Sequence, residues 1–501
     1  MSPSRKKLVL TAVYLGTLMA SLAISIVTVA LPAIQAALKV DFSGLQWVVG
    51  AYALCLSAFM LSAGPLSDRY GRKRVWLVGV ALFILGSAVC AAAPSLPVLI
   101  AGSALQGMAG AVVIPGSLSI LTQAFPDPHE RAHVIGGWSS FSGIALIVGP
   151  ILGGLLVDHV SWRSIFLINL PLGALTLLIG WSGLQESADP DQASFDPIGQ
   201  VLSALCLGAL AYALIGAGQV GWTAPSTLLV LIVAVVALLL FVVVESRVAR
   251  PLLPLNLFRD RTYASVNFAS FVLGFSGYSS LFLFSIFLQQ AQGWSATQAG
   301  WRMVPVFLAM AATASRFGPL AQRYGMHRLM ICGYAGLGAS MLALASFTPQ
   351  TSYVVVAGFF TMLGIGLGLA VPATGAAAMA TVPRAVSGSA SATLNALRQS
   401  GMTIGIALLG TVMGSRAISA MSGALSEARV ADAATLAGLA VRRHEMPAGL
   451  TLAPDLFKPM LAGAFAQGFS SAAICAGLFG LLVPLGLLLK TRRSDTARST
   501  P

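Results

Sequence analysis

Charge is what this 501-residue sequence has least of. Asp, Glu, Lys and Arg together make up 9% of it, while hydrophobic residues make up 57%. That charged share is about a third of the usual one in a soluble domain. It leaves too little polar surface to cover a water-soluble fold of this size, which excludes that class. Cysteine is sparse as well. Cys55, Cys90, Cys206, Cys332 and Cys475 fall singly in apolar segments, without CxxC or other ligand spacing, and read as small packing residues. The five histidines form no HExxH-type pair, and no glycine-rich loop has P-loop spacing. No nucleophile–base–orienter set emerges. The sequence therefore predicts no metal, no cofactor, no ATP and no enzyme.

What it has in abundance is apolar runs, each long enough to cross a bilayer core of about 30 Å as a helix. The runs predict an all-α polytopic membrane protein with fourteen spans: 8–34, 45–66, 75–93, 97–124, 134–157, 165–184, 198–218, 225–245, 263–288, 300–320, 328–347, 353–381, 396–415 and 467–489. The first run follows "SRKK" and is too long for a signal-peptide core, so it reads as a membrane helix. The net charge of +13 follows from topology. With the N-terminus inside, Lys and Arg concentrate in the inner loops, and the short outer loops hold only Lys39, Arg163 and Arg302. The partner implied is a lipid bilayer, with both termini in the cytoplasm of an inner membrane, and no nucleic acid.

One phrase occurs twice. Residues 64–74 read "GPLSDRYGRKR" and residues 318–328 read "GPLAQRYGMHR", about half a chain apart. Six spans on each side of an inserted pair place the copies at equivalent positions. Internal duplication of this kind marks secondary transporters. The organisation predicted is a six-helix bundle over 1–184, a linker with two inserted helices over 185–262, and a second six-helix bundle over 263–501. A long outer loop at 416–466 has helix-compatible composition. In the phrase, Gly64, Asp68, Arg69, Gly71, Arg72 and Arg74, with Gly318, Arg323 and Gly325 in the second copy, form a candidate gate. Glycine permits close helix approach, and Asp68 can pair with a cation in one conformation and release it in another.

These motifs carry a resemblance. "GPLSDRYGRKR" resembles the loop signature of the major facilitator superfamily, and "GIALIVGPILGG" (143–154) its antiporter signature. "LQWVVGAYAL", "SWRSIFLINLPLG", "RPLLPLNLF" and "NALRQSG" follow in the order of the fourteen-helix drug:proton antiporter subgroup. The resemblance covers about residues 8–489. It implies two six-helix bundles plus an inserted pair, alternating access, and proton-coupled export of small amphipathic compounds of the drug and antibiotic type. In span five it implies that Gly143, Gly149, Pro150, Gly153 and Gly154 form a tightly packed, leak-resistant face that favours export. Gly149 and Gly153 stand at i, i+4, and Pro150 removes an amide donor.

Two departures stand against it. The subgroup carries an acid in span one, within L-D-x-T-I-V-x-V-A-L-P. This chain reads "LAISIVTVALP", with Ala23 in the acid's place. The span-four signature has an Arg where "LIAGSALQGMAG" has Ser103. The two losses are opposite in sign and leave the interior neutral. All the acids fall in loops or within a turn of a helix end, which leaves Asp68, Asp158 and His159 as candidate proton sites. A neutral interior favours a neutral or anionic amphipathic substrate. Candidate cavity residues are Ser25, Thr28, Trp47, Tyr52, Gln106, Trp138, Phe141, Asn267, Asn395 and Gln399. An exporter driven by the substrate gradient, and a non-transporting sensor or scaffold with the same fold, stay open as alternatives. So does a periplasmic adaptor.

Overall fold

In the computed structural model the apolar runs close into helices, broken where glycine, proline and acidic residues stand. The structure describes residues 2–188, 196–248, 251–383, 387–448, 450 and 452–498. Asp189 and Asp191 of the acidic linker lie outside the described residues. In chain order the helices are α1 (Pro3–Leu38), α2 (Phe42–Tyr70), α3 (Arg72–Ala92), α4 (Leu96–Ala124), α5 (Pro128–His159), α6 (Ser164–Leu167), α7 (Asn169–Gly183), α8 (Pro197–Val220), α9 (Pro225–Arg247), α10 (Arg261–Val272), α11 (Ser280–Ile286), α12 (Ala296–Ser315), α13 (Phe317–Tyr324), α14 (Met326–Leu344), α15 (Tyr353–Ala380), α16 (Ser387–Glu427), α17 (Ala433–Arg443) and α18 (Pro454–Arg498). Acid caps and early prolines set several starts. Asp127 accepts from Glu130 N, Asp196 from Ile198 N and Gly199 N, and Asp260 from Thr262 N. Proline opens α1, α4, α5, α8 and α9, where its missing N–H costs nothing.

Among the described residues, twelve helices are long and apolar enough to cross a bilayer. There are thirteen if α12 and α13, bent by 58° at their junction, count as one broken span. The α14 helix lies over the expected span 328–347 and is not in that set. It has 19 residues and opens on His327 and Arg328, so one of its ends is polar. The outer loop expected over 416–466 is shorter than the sequence reading made it. The α16 helix runs on to Glu427, α18 starts at Pro454, and α17 fills part of the interval. The reason is the Ala-rich composition there, which propagates helix past the apolar run. Two π-helical segments, Leu273–Tyr278 and Phe287–Ala291, flank α11 within one span candidate, Arg261–Ala291.

The chain divides into two compact units. Unit 1 holds Met1–Leu255 with Ser295–Trp301, and so includes the inserted pair. Within it α1 packs on α5 and α7, α4 on α2 and α3, and α8 on α9 and α2. Its core is centred on Trp76, fully buried, whose Nε1 donates to Ser117 Oγ at 3.0 Å. Gly16 and Gly180 make room for that ring, since a Cβ on either would lie within 3.0 Å of it.

Unit 2 holds Asn256–Trp294 and Arg302–Pro501. Here α14 packs on α15 and α18, and α16 packs on α18 and on the first π segment. Stacked phenyl rings fill its interior. Phe284 lies 4.6 Å from Phe360, and Phe287 lies 4.5 Å from Phe469. Offset and tilted pairs of this kind add to the burial they already bring.

Candidate functional site

The repeated phrase folds around its second glycine. Gly71 is the single residue between α2 and α3, with φ +100°, and Gly325 is the single residue between α13 and α14, with φ +83°. Side chains with a Cβ disfavour that region, so both copies need glycine at the turn. The arginine–tyrosine step before it also recurs. Arg69 lies 5.5 Å from the Tyr70 ring centroid, and Arg323 lies 5.2 Å from that of Tyr324. At Gly64 and Gly318 a Cβ would meet nothing within 4 Å, so the structure holds no close helix approach there.

Among the described residues, only the first copy carries an ion pair. Asp68 Oδ1 accepts from Arg72 Nη2 at 2.7 Å and Nε at 2.8 Å, across the Gly71 turn. The equivalent positions in the second copy are Gln322 and Met326, so it lacks both members. The first turn is held further by Glu186, which sequence reasoning missed. Its carboxylate accepts from Lys73 N at 3.0 Å and Arg74 N at 3.2 Å, and stands 3.6 Å from Arg74 Nε. Arg72 N donates to Ser187 O at 2.9 Å. The segment following α7 thus caps α3 at its N-terminus, where a carboxylate is favoured by the helix dipole. Glu186 lies 112 residues from Arg74, so no local pattern announced it.

On α5 the expected glycine face splits in two. Cβ atoms on Gly149 and Gly153 would strike Ser25 and Ile26 of α1. A Cβ on Gly154 would strike Ala296 and Thr297, and one on Gly300 would strike the carbonyl of Pro150. Segment 295–301 belongs to unit 1, so these are approaches within that unit. Gly143 has nothing within 4 Å. Asp158 Oδ2 accepts from Thr297 N at 2.8 Å, at the start of α12. His159 is exposed.

Most candidate cavity residues in unit 1 make internal bonds. Ser25 Oγ donates to Ala145 O, Thr28 Oγ1 to Ser25 O, Tyr52 Oη to Ala20 O, and Trp138 Nε1 to Thr17 Oγ1. Phe141 packs at a tilt against Tyr14, and Trp47 against Tyr212. Gln106 Nε2 donates to Ser87 Oγ at 2.7 Å, and Cys90 lies 3.8 Å from both Gln106 Oε1 and Ser103 Oγ. Ser103, standing where the family has Arg, is thus buried in a cluster of neutral groups. Ala23 is buried in the unit's apolar core.

In unit 2, Asn267 is fully buried and donates to Tyr263 O at 3.0 Å. Gln399 is half-buried and its carbonyl accepts from Thr403 Oγ1. Asn395 lines a cavity of about 290 Å³ between α10, α15 and α16. Its walls are Ser270 and Leu273, Val371, Thr374, Gly375 and Met379, and Ser391, Leu394, Asn395 and Arg398. Arg398, which sequence reasoning did not single out, forms part of this wall.

The inserted pair hides a second unforeseen feature. Asp196, which caps α8, and Glu245, near the end of α9, are only 5% and 2% exposed. Asp196 Oδ1 accepts from Ile198 N and Gly199 N, and Glu245 Oε2 from Leu253 N. Asp196 Oδ2 and Glu245 Oε1 are buried without a hydrogen-bond partner among the described residues. Each lies 2.5 Å from where a Cβ on Gly199 would sit.

The model of the Major Facilitator Superfamily matches residues 13–406. The chain is 39% identical over 406 residues to "Multidrug resistance protein Stp" of Mycobacterium tuberculosis (strain CDC 1551 / Oshkosh), covering 81% of this chain and 75% of that protein. It is 34% identical over 407 residues to "Methylenomycin A resistance protein" of Bacillus subtilis (strain 168), covering 81% and 87%. Among solved structures it is similar to a bacterial homolog of the human lysosomal transporter Spinster, in an inward-facing, occupied conformation. The TM-score is 0.66 at 19% identity, over 98% of both chains. That likeness speaks to the fold alone.

Proposed function

This chain belongs to the Major Facilitator Superfamily, and from that premise we propose that it exports small amphipathic compounds of the drug and antibiotic type by alternating access. The carrying observation is the shared identity of 34–39% with proteins named for drug resistance, along four-fifths of the chain. It is a multi-pass membrane protein. The excess of Lys and Arg in alternate loops supports an inner-membrane location with both termini cytoplasmic. The Asp68–Arg72 pair, bridging the Gly71 turn and buttressed by Glu186, is the proposed gate: a pair that holds one conformation and parts in the other.

By family the counter-ion is a proton. Ala23 and Ser103, in place of the usual acid and Arg, favour a second reading in which coupling runs through a peripheral carboxylate or is absent. Transport into proteoliposomes with pH gradients of either sign separates the two. Flux that follows the gradient identifies a proton antiporter, and flux indifferent to it identifies a gradient-driven exporter. Expression in a host stripped of its own efflux pumps is expected to raise the inhibitory concentration of amphipathic antibiotics several-fold. No protection, together with no flux of any compound that shifts thermal stability, would instead identify a sensor or scaffold.

A further inference from the structure

We propose that the cavity between α10, α15 and α16 is an anion subsite, in which Arg398 receives the carboxylate of an amphipathic aromatic or aliphatic acid.

The argument starts from donors. A guanidinium carries five N–H groups, and the described residues give that of Arg398 one hydrogen bond, to Asn395 Oδ1. Its other described neighbour is the Tyr278 ring, with a centroid 5.6 Å away. No carboxylate lines the cavity, and none of the ion pairs among the described residues includes Arg398. Three of the other polar groups each spend a proton within the protein. Ser270 Oγ donates to Leu394 O at 2.8 Å, Thr374 Oγ1 donates to Ala370 O at 2.7 Å, and Asn395 Nδ2 donates to Ser391 O at 2.9 Å. The cavity therefore offers a guest one charged cluster of donors, on Arg398, beside the neutral Ser391 hydroxyl and the second Asn395 amide proton, with hydroxyl lone pairs and an apolar wall around them.

A cation finds no counter-charge there. A carboxylate matches the fork geometry of the guanidinium with two parallel bonds. At about 290 Å³ the space is near the low end of small-molecule sites, enough for an acid group and one or two rings.

The backbone supports the same assignment. Leu273, on the wall, opens the π-helical segment Leu273–Tyr278, and a Cβ on Gly274 in that segment would lie 1.8 Å from the Arg398 carbonyl. The segment is thus pressed against the backbone that carries the guanidinium. Such π-bulges gather at functional sites.

This inference rests on the exporter reading only for the guest's being cargo. Its test uses the full chain in nanodiscs of phosphatidylcholine alone, titrated with naphthoate and with its uncharged counterpart naphthamide. Naphthoate is expected to bind more tightly. R398Q is expected to weaken naphthoate by about tenfold or more, R398K to weaken it less, and neither to alter the amide. Should R398Q fail to fold, V371F fills the same cavity while keeping the charge, and is expected to lose naphthoate equally.

Naphthoate affinity indifferent to both variants, or an amide bound as tightly as the acid, overturns the subsite. Complete displacement of naphthoate by added phosphatidylglycerol, in the wild type only, makes a lipid headgroup the occupant and overturns the cargo assignment. Binding that depends on Arg398 without flux of any drug from liposomes sinks the exporter reading and leaves the anion subsite standing. Drug flux with binding independent of Arg398 does the reverse.

Discussion

A methyl group at Gly199 would strike two carboxylates at once, since Asp196 Oδ2 and Glu245 Oε1 each stand 2.5 Å from its place. Neither acid has room to yield, because each is held by backbone N–H groups through its other oxygen. Gly199→Ala is therefore expected to cost about 1–3 kcal/mol, the usual range for overpacking. Thermal unfolding of the purified protein checks it, and an unchanged midpoint would mean that the acids part freely. His444 offers a second measurement. Burial pushes its imidazole down to about 4, against a smaller opposing effect of Glu445. The ring packs 5.2 Å from Phe465, and its Nδ1 is buried without a hydrogen-bond partner among the described residues. Because the folded pKa lies below the unfolded value of about 6.5, this contribution to stability is complete above that pH. It is lost as pH falls toward 4. Protection of the amides over 433–448, corrected for the intrinsic slowing of exchange in acid, is expected to fall between pH 7 and pH 5, and H444F to remove that dependence. Of the residues that matter here, Asp68 and Gly71 were legible because a repeated phrase flagged them. Glu186, Glu245 and Arg398 were not, because each acts on a partner or a space that only folding brings near.

The turn between α2 and α3 is built from three separate pieces: Gly71, the Asp68–Arg72 pair, and the Glu186 cap. Removing the cap alone tests how they divide the load. Glu186→Ala is expected to destabilise the start of α3 by about 1 kcal/mol, as lost N-caps do, with faster hydrogen exchange confined to 72–76. Gly71→Ala is expected to do more. It forces a Cβ into positive φ and drives it to within 2.6 Å of the Glu186 carboxylate, so it loses the turn and the cap together. Equal effects of the two changes would mean that the backbone strain is negligible.

The helices themselves were readable from apolar runs, because spans must be long, apolar and closed in their own hydrogen bonds. Their ends were not. Alanine-rich composition carried α16 on to Glu427, and the apolar signal ended well before that. The π segments were invisible for another reason: a π turn changes which side chains face inward, and a run that is apolar all round records no face.

Over the whole molecule, composition decided the class, and the duplicated phrase raised the two-half plan as an expectation. The antiporter glycines and the flanking motifs brought the superfamily within reach. Proton coupling was not decided, since it hangs on single groups. Asp68→Asn is expected to leave expression intact and slow transport several-fold, because it weakens the pair that closes the turn while sparing Gly71 and the cap. Unchanged turnover would remove the gate from this end of the molecule. The asymmetry between the copies sharpens the point. Gln322 and Met326 give the second turn no such pair to break, and it follows a helix bent by 58°, so the proposed restraint by charge rests on the first copy.

The outer helix of the inserted pair has a further consequence. Only 22% of the apolar window of α9 is buried inside the protein, and Leu229, Leu239 and Ile232 lie open along it. At 23 residues it is about 34 Å long, slightly more than a typical hydrocarbon core. A mismatch with acyl-chain length is therefore one contribution to the tilt of this helix, beside its packing on α8. Glu245, near its end, holds Leu253 N at 3.0 Å, so that carboxylate ties the helix end to a residue beyond it. A change of bilayer thickness is therefore expected to be felt at that one carboxylate, and thermal unfolding in lipids of different chain length, compared with Glu245→Gln, checks it.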